Sequence, residues 1–398
     1  DGMGVPGVLY ADGQTVAYRA PRWSESAGFS FGPATKIDFP GYRRTNSQVA
    51  LTDLTGDGSL TVTVNQGPIA GYFAWETKGT FDPFVPFTSY ETETTLAEHR
   101  WLDMSGDGLL DGVVLINNQM RIYPALGLEG WGRAYTTVRT SVAASEATAT
   151  FPADFPSSFN GSQTVLSTFA NVGGAGLAAL VHVAPIGPGD ENTIPYQVSY
   201  WPNLGYGHFG SKVTLKTILT LPANAKASRI KLIDTDGSGL ADVLYLDRNA
   251  MLLFVNQSGQ GFAEPLVISY PNNFTFDDLD SADGVDLYGL GCQGLLMSHL
   301  HNGTKKPTFS YYSFSGEMKP YLLNHLDNHR GTLTDITYTN SAREILTDSA
   351  AGKPWVTQLH FPVQLVKSQT TTDLFTGSSS TTTYRYHEGF YDAHDREL

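Results

Sequence analysis

Cysteine, basic charge and long apolar runs are what this 398-residue sequence has least of. Its single cysteine, Cys292, cannot form an internal disulfide, which excludes cystine-rich scaffolds and any Cys-based zinc site. Lys and Arg number 25 against 39 Asp and Glu, a formal charge of -14 without any basic run. Nucleic acid is therefore not an expected partner, because that affinity depends on clustered cations displacing counterions. The longest apolar stretches, such as 177–186 with His182 inside it, are about half the length of a membrane helix, so direct membrane insertion is not expected. The opening at Asp1 shows no charged segment followed by an apolar run, as a signal peptide would, and it starts inside a motif that recurs later. The expectation is a piece of a longer chain. Helical periodicity is also scarce, with Ser341 to Ala350 the best candidate.

Glycine and aromatic residues are plentiful: 41 Gly, 20 Tyr and 21 Phe in a chain that is 41 % hydrophobic and 16 % charged. That balance fits an all-β protein of short strands and tight turns. A repeat organises it. Asp53-Leu-Thr-Gly-Asp-Gly-Ser-Leu-Thr61, Asp103-Met-Ser-Gly-Asp-Gly-Leu-Leu-Asp111 and Asp234-Thr-Asp-Gly-Ser-Gly-Leu-Ala-Asp242 share an acidic first position and Gly at positions four and six. Asn171 to Gly176, Asp286 to Gly291 and the opening Asp1 to Gly7 fit the same frame more weakly, the last with its first two positions upstream of residue 1. Spacings from Asp53 onward are 50, 68, 63 and 52 residues, the length of a four-stranded propeller blade. Each loop feeds a β-type run (Val8 to Tyr10, Thr61 to Val64, Val113 to Ile116, Leu180 to Val183, Val243 to Leu246, Leu295 to Met297), and a second strand follows. Five copies then show a glycine-plus-aromatic corner, at Gly28, Gly79, Gly130, Gly207 and Gly261. After about Leu326 the pattern gives way to Thr/Ser-rich strands, including Leu359 to Val366 and Thr381 to Tyr386, with a hairpin turn at Thr376-Gly-Ser-Ser.

Candidate chemistry is limited. Asp234, Asp236, Ser238 and Asp242 put oxygens at positions 1, 3, 5 and 9, a hard-cation arrangement suited to calcium, and Asp103, Ser105, Asp107 and Asp111 repeat it. Asp53, Thr55, Asp57 and Thr61 do so with fewer charges. The competing reading is a metal-free Asx turn, in which the carboxylates accept backbone N–H groups. No cofactor is required, and Ca2+ is the candidate ion. Two dinucleotide-like glycine patterns, at Gly2 to Gly7 and Gly289 to Gly294, are the repeat itself, and Gly28-Phe-Ser-Phe-Gly32 lacks the setting of a hydrolase elbow. His299 and His301 share a strand face and read as surface residues beside no carboxylate. Sequons occur at Asn160, Asn256, Asn273 and Asn302, Asn256 reading better as a turn residue, and Cys292 reads as a small buried hydrophobe. No catalytic constellation emerges, so no enzyme activity is expected.

The Asp-x-x-Gly-x-Gly loops resemble FG-GAP/VCBS-type propeller repeats. More specifically, Val5 to Tyr10, Tyr200 to Gly210, Leu244 to Leu246 with Phe254 to Gly259, Ala351 to Val356 with Phe361 to Val363, and Tyr384 to Asp392 with Arg396-Glu397 resemble the middle region of the B component of Tc (toxin complex) insecticidal toxins, shared with SpvB-like proteins. The resemblance implies a six-bladed β-propeller over 1–326, followed over 327–398 by the truncated start of an Rhs-like β-strand shell. It further implies a secreted, non-enzymatic toxin component. The B component pairs with a C component into a cocoon around a toxic payload, and the propeller gates the exit and docks on the pentameric A-component channel. The alternative from the residues is a calcium-dependent, lectin-like propeller adhesin using corner aromatics such as Trp131 and Trp201.

Overall fold

In this computed structural model, residues 4–12, 15–40, 49–65, 69–76, 80–90, 98–140, 150–271, 274–300, 307–357 and 359–392 are described. The protein is all-β, and among the described residues its one α-helix is Ser341–Ala350, as the sequence predicts. Six antiparallel modules follow one another, each with its strands side by side in chain order. The first holds Val8–Asp12, Thr15–Arg19 and Thr35–Ile37, and the second Val49–Asp53, Leu60–Val64, Gly71–Phe73 and Val85–Pro86. The third runs His99–Leu102, Asp111–Ile116, Gln119–Tyr123 and Tyr135–Arg139, with Thr150–Phe151 added in parallel. The fourth holds Leu166–Ala170, Ala179–Pro185, Thr193–Trp201 and Val213–Pro222. The fifth holds Ile230–Ile233, Asp242–Leu246, Ala250–Phe254 and Leu266–Ser269, and the sixth Ser281–Val285, Gly294–Leu300 and Pro307–Tyr312.

The second strand of a module explains why these sequences carry apolar pairs instead of strict alternation. Every residue of Asp242–Leu246 is buried; Val243 and Tyr245 enter one core cluster, shared with module four, while Leu244 and Leu246 enter another, shared with module six. In module three, Val113 and Leu115 face one cluster and Val114 the next. Successive side chains of a strand point to opposite faces, so a strand that is apolar throughout is one covered on both sides by neighbouring sheets. The cluster joining modules four and five is the largest; beside module one, the hairpin of Pro21–Ser24 and Gly28–Phe31 contributes Trp23 and Phe29 to a small one with Val5, Ala342 and Leu346.

In modules two to six the glycine loop lies between the first and second strands. The sequence reading places the loop at the start of a unit and misses the strand before it, such as Leu166–Ala170 or Ser281–Val285. These strands are only partly buried, and Ser281–Val285 holds Asp283-Gly284, which reads as a turn, so neither stands out as a strand in the sequence. Beyond module six, His325–Asp327, Thr332–Asn340, Gln364–Asp373 and Ser379–Thr383 form a separate antiparallel sheet. Its last two strands are the expected hairpin with the turn near Thr376. The expected strand from Leu359 begins only at Gln364, since Pro362 cannot donate to a ladder, and the strand expected to reach Tyr386 ends at Thr383. Gly2, the Gly79 corner, Asn273, His301, Asn302, Arg396 and Glu397 lie outside the described residues.

Candidate functional site

The glycine loops are the feature that repeats, and in the four that start with a described Asp the capping geometry recurs from copy to copy. The first-position carboxylate accepts the N–H of the glycine or equivalent at position six: Asp53 from Gly58 at 2.8 Å, Asp103 from Gly108 at 3.0 Å, Asp234 from Gly239 at 2.8 Å and Asp286 from Gly291 at 2.6 Å. Its other oxygen takes further loop N–H groups, as Asp103 does from Ser105 and Gly106. The position-six glycines need the left-handed region, with φ of 87° at Gly58, 81° at Gly108 and 82° at Gly239, which a Cβ would oppose. Asn171 performs the capping role without charge, accepting from Gly174 at 3.0 Å.

The ninth-position aspartates do something the spacing did not reveal. Asp111 is buried and accepts the N–H of Met104 at 3.0 Å and of Ala125 at 2.8 Å. Asp242, likewise buried, accepts from Asn256 N at 2.7 Å and from Thr235 N at 3.0 Å, with the Thr235 hydroxyl as a further donor. Each therefore ties its loop to the corner that follows the third strand. Burial raises the carboxyl pKa of Asp111, Asp242 and Asp286, with the backbone donors opposing the rise.

Asp234, Asp236 and Asp242 bring one carboxylate oxygen each to within 4.8 Å of one another. Asp107 instead accepts from Leu109 N at 2.9 Å, and Asp103, Asp107 and Asp111 form no such group among the described residues. All six carboxylate oxygens of the Asp234 set already accept hydrogen bonds from the chain. Asp234 takes Gly237, Ser238 and Gly239 N–H, Asp236 takes Ser238 N–H and the Tyr321 hydroxyl at 2.8 Å, and Asp242 takes the donors named above. Ser238 gives its own N–H to the cluster, while its hydroxyl accepts from Leu240 N. Burial raises the Asp234 pKa; Asp236 is held low despite its burial by hydrogen bonds from Ser238 and Tyr321. These donors suit an Asx turn closed by the chain's own groups.

Consecutive loops abut. A Cβ built on Gly56 would stand 3.2 Å from Leu109, one on Gly106 3.6 Å from Leu177, one on Gly174 3.7 Å from Leu240, and one on Gly237 3.0 Å from the Gly291 carbonyl. The sixth loop returns to the first, because a Cβ on Gly289 would stand 3.0 Å from Val5. The loops around Asp53, Asp103 and Asp234 thus belong to one continuous series.

Other expectations change. Trp131 and Trp201 are 1 % and 2 % exposed and cannot contact a sugar: Trp131 donates Nε1–H to the Leu110 carbonyl at 2.7 Å among Phe87, Tyr90 and Trp101, and Trp201 packs against Phe155 and His182. The corner aromatic is a core residue because it packs against the preceding module, Trp131 with Leu54 and Tyr72 of module two and Trp201 with Leu102 and Val113 of module three. His299 is buried rather than exposed and does have a carboxylate beside it, Asp280 at 3.4 Å, with Ser310 at 3.1 Å on its other nitrogen. Those partners are distant in sequence and meet only across strands. Asn256 is the expected turn residue, accepting from Gly259, and it also donates to the Val172 and Ala241 carbonyls, linking modules four and five. Cys292 is buried as expected. No described helix is long and apolar enough to cross a membrane.

A family model described as the insecticide toxin TcdB middle/N-terminal region matches residues 254–398. No curated protein matches the chain. Among solved structures, a chain of the Photorhabdus luminescens Tc holotoxin pore is 28 % identical with a TM-score of 0.83, the match covering 100 % of this chain and 17 % of that one. Crystal structures of TcdB2–TccC3–Cdc42 and of TcdB2–TccC3 match at 29 % and 28 % identity with TM-scores of 0.64 and 0.65, covering 100 % of this chain and 18 % of each. The chain therefore spans less than a fifth of the length of the proteins it matches. By the structural likeness over all its modules and by the family model over 254–398, the chain is similar to a TcdB-like region of the Tc toxins.

Proposed function

We propose that this chain is the propeller of a non-catalytic Tc toxin component, that its six modules are the blades of a six-bladed ring, and that the ring docks on an A-component channel and gates release of the payload enclosed with a C component. The single observation that carries this reading is the likeness of the whole chain to one in a Tc holotoxin pore, at a TM-score of 0.83. The ring is supported by second strands that pack against both neighbouring sheets and by a sixth loop that touches the first module. The hairpin tips opposite the glycine loops, at Asn117-Asn118, Gly187 to Asn192 and Asp247 to Asn249, offer the polar surface that docking needs. The 327–398 segment is taken as the start of the shell, and the site of action as extracellular. The glycine loops act in this reading as structural turns; a cation held by Asp234, Asp236 and Asp242 is the second reading, favoured by the mutual approach of their oxygens.

The test is a pull-down of the purified chain by a Tc A pentamer, with and without EDTA, followed by negative-stain imaging. Ring-shaped density seated on the channel end and indifferent to EDTA is the expected result. Failure to bind, coupled with calcium-dependent binding to glycans, would replace this function with the adhesin.

A further inference from the structure

A ring built from consecutive modules must be closed where its last unit meets its first. Among the described residues no strand is shared between module one, whose strands lie within 8–37, and module six, whose strands lie within 281–312. Direct contacts at this joint among the described residues include the Phe29 and Tyr288 rings, 5.4 Å apart edge to face, and Val5 against Gly289. Across the same joint lie the helix Ser341–Ala350 and residues 359–364 after it.

Their contacts reach both sides. On the module-six side, Asn340 Nδ2 donates to the Tyr288 carbonyl at 3.0 Å and Gln364 Nε2 to the Gly289 carbonyl at 3.0 Å. On the module-one side, Ala342 and Leu346 pack with Val5, Trp23 and Phe29, and the Arg343 guanidinium lies 4.2 Å from the Trp23 ring centre. The helix start and residues 359–364 are fastened to each other, Ser341 N–H to the Val363 carbonyl and Val363 N–H to Ser341 Oγ, both at 2.9 Å. The strap then runs on to module two: built Cβ atoms on Gly4 and Gly58 would stand 3.3 Å from the Phe361 carbonyl oxygen and 2.9 Å from His360 Cβ.

We infer that residues 340–357 and 359–364 are the closing clasp of the ring, joining module six to modules one and two in place of a shared strand. This rests on the reading of the six modules as a ring. It also makes the helix and strap, at the start of the 327–398 segment, part of the ring's stability.

Hydrogen exchange on the full chain tests it, using Leu346→Ala, which hollows the small core at the joint, and the milder Gln364→Ala, which removes one hydrogen bond at its edge. Exchange in 15–37 and 281–312 should quicken by about tenfold or more for Leu346→Ala, and by less for Gln364→Ala, with 179–254 unchanged. Quickening confined to 340–364, or equal in all modules for Gln364→Ala, overturns the clasp. Negative-stain averages of the unmodified chain separate the two ideas: an open arc defeats the ring itself, whereas a closed ring with exchange confined to 340–364 defeats only the clasp.

Discussion

Asp242 receives the backbone N–H of Asn256, fourteen residues downstream, at 2.7 Å, and Asp111 receives that of Ala125 at the same separation and 2.8 Å. In both modules a buried carboxylate stitches the glycine loop to the corner that begins two strands later. Replacing Asp242 by Ala would leave the Asn256 and Thr235 N–H groups buried without acceptors, at a cost of about 3 kcal/mol. Chemical denaturation should show the loss, with Asp111→Ala behaving alike and Asp57→Ala, a half-buried position that accepts only the Ser59 N–H two residues on, costing much less. Equal effects at all three positions would contradict the stitching role.

Acid should weaken the fold through His99. Burial, helped by Arg100, pushes its pKa down from 6.5 to about 4. The unfolded chain then binds a proton that the folded one refuses, so stability is lost as pH falls from about 6.5 towards 4 and is fully present above that window. His99→Gln should flatten this part of the stability profile. The raised carboxyls of Asp111, Asp242 and Asp286 work in the opposite sense just above the ordinary carboxylate range, and the variant leaves them in place. An unaltered acid limb in thermal melts of His99→Gln would rule the assignment out.

Arg139 is buried and spends its guanidinium on the chain itself: Asn118 Oδ1 at 3.1 Å, the carbonyls of Ala153 at 3.0 Å and Pro156 at 3.1 Å, and the Phe155 carbonyl, with Phe151 beneath it. A lysine has no planar fork and cannot serve that set. Arg139→Lys should cost roughly 2–4 kcal/mol, read as a lower urea midpoint. Protease nicking within 151–156 should rise with it, and resistance equal to that of the unmodified protein would show that the fork is dispensable.

For the Asp234 loop, the chain's own donors predict indifference to calcium. Thermal unfolding in millimolar Ca2+ and in EDTA should coincide, and Tyr321→Phe, which takes the hydroxyl from Asp236, should leave them coincident. A midpoint raised by Ca2+, more so in the variant, would assign a cation to Asp234, Asp236 and Asp242.

Much of the fold was legible because its signals are local. Glycines and aspartates at fixed offsets write the loops, and the two strands after each loop follow from apolar runs; the helix is marked by Asn340, whose side chain caps the Arg343 N–H at 2.9 Å. What depends on distant partners was not legible. His299 meets Asp280 and Ser310 only across strands, and Trp131 reads as an exposed corner residue until Trp101 and Phe87 cover it. The capping role of the ninth aspartate was hidden for a related reason, since the same oxygen spacing also suits a metal.

The uneven distribution of the core gives the molecule a mechanical bias. Among the described residues, modules four and five share the largest apolar cluster, whereas the hairpin beside module one adds Trp23 and Phe29 to a buried patch of three residues. Load carried through such a body is resisted least where the fewest side chains must be drawn into water. A force applied around the assembly would therefore be relieved at the first module, sparing the middle of the chain as its rigid side.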